Sequence, residues 1–258
     1  LTMLPRVMLA LGTRLLAMML WVMVSVVASG SLMAQDLKVR TIGFAPYGFT
    51  ENDIPAGIYY DAANLLLKHS GLTGQNSVAP YSRIRAELIS GTCDMTIMFK
   101  YPELEPYVHY IAPLPPLKVV VIGLEGSSFP SLQSLRGKRI AYLRGASFSA
   151  EIDNDKDIKV IRVTDLLQGV KMLSVGHVDA VIGPLDPIYR AALKLSKGPD
   201  MFGEPLIVSV RTPWVQVSKQ SSKDIPLAKL KEAYMRLDQE GVFQLLREKY
   251  LLLKNDSP

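Results

Sequence analysis

Tyr47 stands between Pro46 and Gly48, with Phe44 and Phe49 on either side, so aromatic rings gather where a strand-like run must turn. Rings placed at such a turn can wall a ligand site, or they can belong to the core. Arg144 and Ser147 lie in RGASFS, just ahead of a predicted helix. A guanidinium, a hydroxyl and the unpaired amides of a helix start suit a carboxylate or other anion. Serine is equally the residue that caps a helix and does nothing else. Tyr81 and Arg83 open another predicted helix, where Arg83 either faces a ligand or decorates the first turn. Lys100 and Tyr101 follow an apolar run and complete the set of candidate ligand-binding residues.

Chemistry on a bound molecule would need more. Lys100, Glu103, Glu105 and His109 share one stretch and include acid and base types. His109, in YVHYIAPL, fits a short strand as well as it fits a catalytic role. The single cysteine, Cys93, follows a helix end and enters an apolar strand, which reads as a buried structural thiol. His69 reads as a residue of a helix C-terminus. The sequence has no zinc-spaced His/Cys set, phosphate loop or Ser-His-Asp order, so no catalytic residue, metal or cofactor is assigned.

The elements that must carry these residues repeat. SGTCDMTIM at 90–98 and SVGHVDAVIG at 174–183 each hold a glycine, two residues, an aspartate and an apolar run. Ahead of each lies a helical stripe: Tyr81, Ile84 and Leu88 in one, Leu166, Val170 and Leu173 in the other, with Thr164 or Asp165 as cap. Each unit is therefore helix, glycine stop, turn and strand. Asp94 and Asp179 are expected to bond local amides of that turn. Strands alternating with helices imply βαβ units, and two such modules imply two similar α/β lobes. Proline-bearing extended segments at 112–126 and 205–218 would cross between them. Leu227, Leu230, Tyr234 and Leu237 stripe a C-terminal helix that would cover the first lobe.

Composition sets the class. The chain has 258 residues, 48% of them apolar and 21% charged, with a formal charge of +5. Its lysines and arginines are interspersed with acids and form no block, which argues for solubility and against a nucleic-acid partner. Arg6 and Arg14 precede the apolar run at 15–28, and small residues follow. That order is a secretory signal peptide over 1–34, with cleavage expected after Ala34 or, alternatively, Gly30.

GIYYDAANLLLKHSG, RIRAELISGTCD, LRGKRIAYLRGASF, GVKMLSVGHVDAVIG and the tail around Gly241 together resemble periplasmic solute-binding proteins of the polar amino-acid ABC transporter type, the family 3 extracellular solute-binding proteins. The resemblance implies a type 2 periplasmic binding fold with two α/β lobes, each a mostly parallel sheet flanked by helices. Lobe 1 would be 36–117 and 205–258, lobe 2 118–204, joined by a two-segment hinge. It also implies a monomer that captures a small polar or anionic solute between its lobes, with an ABC permease as partner in import. A periplasmic enzyme resembling cyclohexadienyl dehydratases, or an orphan signalling protein, is the alternative. The family's amino-acid clamp departs here. Leu104 stands where the resemblance implies an arginine for the ligand carboxylate, and Pro184 where it implies an aspartate for the ammonium. Asp186, two residues late, reads as a helix cap. Lys100, Arg83 or Arg144 would then have to supply the cation.

Overall fold

The computed structural model describes residues 36–252, so the expected signal peptide lies outside the described residues. Two five-stranded sheets carry the fold, with a two-stranded hairpin of β2 (Phe49–Glu51) and β3 (Ile54–Ala56). The first runs β4 (Gly74–Ala79), β1 (Leu37–Ile42), β5 (Met95–Phe99), β12 (Pro213–Ser218), β6 (Val108–Pro113). The second runs β11 (Leu206–Arg211), β7 (Leu117–Ile122), β10 (Ala180–Pro184), β8 (Arg139–Leu143), β9 (Lys159–Val163). In each sheet the three strands of a βαβαβ unit pair in parallel: β4, β1 and β5 in one, β9, β8 and β10 in the other. The two remaining strands of each sheet pair antiparallel: β12 runs against β5 and β6 against β12, β7 against β10 and β11 against β7.

The helices follow the apolar spacing. In lobe 1, α1 (Ile58–Ser70) joins β1's side of the chain to β4, and α2 (Tyr81–Ser90) joins β4 to β5. In lobe 2 the matching pair is α3 (Ala150–Asn154) and α4 (Leu166–Ser174), with α5 (Leu185–Lys194) after β10. Ile84 and Leu88 of α2 and Val170 and Leu173 of α4 are buried as their stripes require. The C-terminal helices α6 (Leu227–Gln239) and α7 (Val242–Leu252) pack on α1 and seal lobe 1 through Leu230, Leu237, Phe243 and Tyr250. Burying a side chain of this size contributes about 1.5–3 kcal/mol. None of the helices among the described residues is long and apolar enough to cross a membrane.

Both crossings fall within the expected segments, but the return to lobe 1 comes later than the expected boundary. Val119–Ile122 is fully buried, as an apolar run packed on both faces should be. The return strand β11, which the expected boundary at 205 gives to lobe 1, pairs with β7 in the second sheet. The chain passes back only at Thr212, between β11 and β12. Its reason is local: Pro213 has no amide to donate and so begins a strand but cannot continue one.

The repeated phrase has one structural meaning in both lobes. Gly91 and Gly176 take left-handed φ values of 76° and 74° just after α2 and α4, a conformation that suits glycine. The aspartate that follows reaches across to the neighbouring parallel strand, not to its own turn. Asp94 accepts the Lys38 amide of β1 at 2.6 Å, and its own amide donates to the Lys38 carbonyl at 2.8 Å. Asp179 does the same with Arg139 of β8, at 2.7 and 2.8 Å. The carboxylates thus bridge the strand that ends each unit to the strand that begins it.

Candidate functional site

All six parallel strands end at one crevice between the lobes, the position that open α/β sheets give to ligands. Gly43 follows β1, Pro80 follows β4 and Lys100 follows β5; opposite them Arg144, Thr164 and Leu185 follow β8, β9 and β10. The facing loops are in contact. Gly145, at a φ of 79°, lies so near Ser82 that an added Cβ would stand 3.2 Å from the serine Cβ. Arg85 of α2 donates to the Gly145 carbonyl at 3.1 Å. Arg211, beside the hinge, donates to the carbonyls of Lys100 in one lobe and Ser147 in the other, at 2.7 and 3.1 Å.

Three cavities lie along the crevice. The innermost has room for about 10 Å³ and is bounded by Phe44, Tyr59, Tyr81, Tyr101, Leu143 and Phe148 among others. Its walls are apolar except for the hydroxyls of Tyr59, Tyr81 and Tyr101, which are buried and make no hydrogen bond among the described residues. A second cavity, of about 250 Å³, opens between the Gly43–Thr50 loop and α5, and holds Arg190 and Lys194. A third, of about 440 Å³, is bounded by Tyr81, Ser82, Arg144, Thr164 and Asp165. Phe44 separates the first from the second, Gly43 the second from the third.

The candidate residues divide between crevice and elsewhere. Tyr81 and Tyr101 meet edge to face at 5.5 Å in the innermost cavity; Phe49 borders the second and Arg144 the third. Tyr47 is only 2% exposed and forms a lobe-to-lobe contact rather than an open wall. Its ring packs on Tyr59 at 4.6 Å and its hydroxyl donates to Asp186 at 3.0 Å. Burial, then the Asp186 carboxylate, pushes the Tyr47 phenol well above its usual range, so it stays a proton donor. Arg83 turns along its own helix to Glu87, 2.8 Å away, and leaves the crevice. Lys100 lays its ammonium over Trp214 and Tyr110, at 3.6 and 4.3 Å from the ring centres. Ser147 donates to Asp153 at 2.5 Å. The helix cap is Ser149, which accepts from the Ile152 amide, and α3 is a single short turn. Two acids of that turn, Glu151 and Asp153, engage both serine hydroxyls and oppose an incoming anion.

Asp186 also departs from its expected role. Pro184 occupies the cap position of α5, and the Asp186 carboxylate leaves the helix to meet Tyr47 and, at 3.1 Å, Arg247 of α7. Leu104 is fully buried in a 3-10 turn and Pro184 is buried at the end of β10, so neither clamp position presents a polar group. Arg190, Arg211 and Arg247 were missed by sequence reasoning. Only Arg190 had a local signal, the i,i+4 pair with Lys194 on a helix that starts at the cleft. His109 is an exposed residue of β6, and Glu103 pairs with Arg85 at 2.8 Å. Among the described residues, no group of three His, Cys, Asp or Glu side chains is placed to hold a metal.

Neither a family model nor a curated protein matches the chain. Solved structures do. A mutant of the arginine-binding protein of T. maritima superposes with a TM-score of 0.72 at 19% identity, covering 84% of this chain and 95% of that one. A histidine kinase sensor domain with similarity to periplasmic binding proteins gives 0.73 at 18%, covering 84% and 97%. The substrate-binding protein of an amino acid ABC transporter gives 0.69 at 21%, covering 83% and 98%. The chain has the two-lobed periplasmic binding protein fold, and the similarity at these identities is one of fold.

Proposed function

We propose that this protein is a solute-binding protein that captures a small molecule between its lobes by hinge closure, outside the cytoplasm, and presents it to an ABC permease. The observation that carries this reading is the crevice itself: six parallel strands deliver their carboxyl ends, from both lobes, to one set of adjoining cavities. Two crossing segments, at 114–116 and Thr212, are the only places where the chain passes between the sheets among the described residues, as a hinge requires. The superposed proteins include binding proteins and a sensor domain, which supports binding over catalysis. The ligand is not a conventional α-amino acid held by the usual clamp, because Leu104 and Pro184 offer it no charge, and an unpaired desolvated charge costs several kcal/mol.

Thermal denaturation of the purified protein against amino acids, carboxylic acids, polyamines and short peptides tests the reading. A true ligand at a hundred times its dissociation constant adds about 2.7 kcal/mol, a rise on the order of 5–10 °C for a chain this size. The rise should persist without chemical change in the ligand, followed by NMR. A panel that leaves the melting temperature unmoved would sink the proposal, and turnover of a stabilising compound would replace it with an enzyme.

A further inference from the structure

We infer that the cavity between the Gly43–Thr50 loop and α5 is an anion site, in which Arg190 and Lys194 of lobe 2 hold the carboxylate of a small acid that lacks an α-ammonium group. The inference rests on the binding reading above and names its substrate class.

Most other cations near the lobe interface have partners; Arg144, exposed at the third cavity, is an exception among the described residues. Arg83 meets Glu87, Arg85 meets Glu103, and Arg247 meets Asp186. Arg211 donates to two carbonyls, and Lys100 lies on two rings. Arg190 and Lys194 border one cavity together, and Lys194 also lies over the Phe49 ring, 5.7 Å from its centre. No carboxylate lies within ion-pairing distance of either among the described residues. Arg190 Nε is moreover buried with no hydrogen-bond partner there. A buried donor of a charged group left unpaired is costly, and the cost is recovered when an anion arrives.

Both cations belong to α5, one turn apart, so their heads face the same cavity of about 250 Å³. Arg190 can present two N–H groups side by side, the geometry a carboxylate matches. The acid in that cavity, Asp165, accepts the Gln168 amide at 2.7 Å as the cap of α4. Two cations against one engaged carboxylate leave the site positive. Asp165 commits one carboxylate oxygen to that cap, which makes it a weaker partner for an ammonium than a free acid would be. Phe49, Leu166 and Pro187 supply an apolar wall for the rest of the molecule. The site thus inverts the arrangement that Leu104 vacates: the cation comes from lobe 2, and closure brings lobe 1 down on it.

Calorimetric titration of the full protein with acetate, benzoate, phenylacetate and succinate, each beside its primary amide, tests this, with phenylalanine as a further arm. One or more acids should bind, their amides at least about tenfold more weakly, and phenylalanine more weakly than phenylacetate. Arg190→Gln should weaken the acid by about tenfold to a hundredfold, and Lys194→Gln by less. The ligand-free melting temperature of Arg190→Gln should equal or exceed that of the parent, which separates lost binding from lost folding. Should amides bind as tightly as acids, Arg190→Gln bind unchanged, or only ammonium-bearing or neutral solutes bind, the anion site falls while the binding reading stands. If nothing in this set or in the wider solute panel binds, both fall.

Discussion

Side chains whose types suggest reactivity are, in this protein, mostly held out of reach by packing. Cys93 is fully buried between α2 and β5, and burial pushes its thiol up to about 12 from an ordinary 9.0. The thiolate is the reactive form, so at pH 8 the native protein should resist iodoacetamide, and denaturing urea should make the single cysteine fully reactive. Mass spectrometry of the two samples checks this; rapid native labelling would show that the thiol is reachable. Arg83 and Ser147 illustrate the same rule at the surface. Each has a carboxylate of its own or the following helix within 2.8 Å, and a partner fixed by local geometry prevails over one that must diffuse in.

At the level of elements, the paired aspartates explain why one phrase occurs twice. Each ties the last strand of a βαβαβ unit to the first by receiving its amide, a bond that fixes the register of parallel strands far apart in sequence. Their surroundings set different magnitudes. Asp94 is 3% exposed and also holds Lys223 at 2.7 Å and Ser221 at 2.6 Å. Asp94→Asn therefore leaves a half-buried ammonium unpaired and should cost on the order of 3 kcal/mol in urea denaturation at pH 7. The Asp179 side chain is a third exposed, so Asp179→Asn should cost about 1 kcal/mol. Equal costs would mean that burial does not govern the device. Hydrogen bonds from Arg139 hold the Asp179 carboxyl down at about 2, against an ordinary 3.8. A folded-state value below the unfolded one stabilises above the unfolded value, so the Asp179 contribution should be complete above about pH 4 and fade as pH falls toward about 2. Repeating the Asp179→Asn comparison across that range should show its deficit shrinking.

At the scale of the molecule, closure depends on few polar contacts laid over a shared apolar interior. One continuous buried cluster includes Tyr81, Met98 and Phe99 of lobe 1 and Leu143, Phe148 and Ile182 of lobe 2. Beside the Arg85 and Arg211 contacts, Asp186 is a polar fastening, since a single carboxylate from lobe 2 accepts from Tyr47 and pairs with Arg247, both of lobe 1. Asp186→Asn should shift the ligand-free population toward an open form, seen as a larger radius of gyration in X-ray scattering. Arg247→Gln should do the same, and the double variant should open little further, because both remove one contact. Unchanged scattering from all three would show that the Asp186 contact does not set closure.

Local patterns along the chain settle the elements and their grouping. Apolar periodicity fixes which residues face a core, glycines with positive φ end α2 and α4, and the doubled phrase announces two modules, because each of these acts within about a dozen residues. Leu104 and Pro184, where the resemblance implied charged groups, are legible as uncharged from residue type alone. Which polar groups are left over emerges only once the lobes face each other. Whether Arg190, Arg211 or Arg247 has a partner depends on what lies across the crevice, on chain as many as 111 positions away, as between Arg211 and Lys100. The same holds for β11, whose sheet is chosen by pairing with β7 and not by its own pattern. Hydrogen-bond partners and burial are properties of a pair, and one residue's identity carries half of that information.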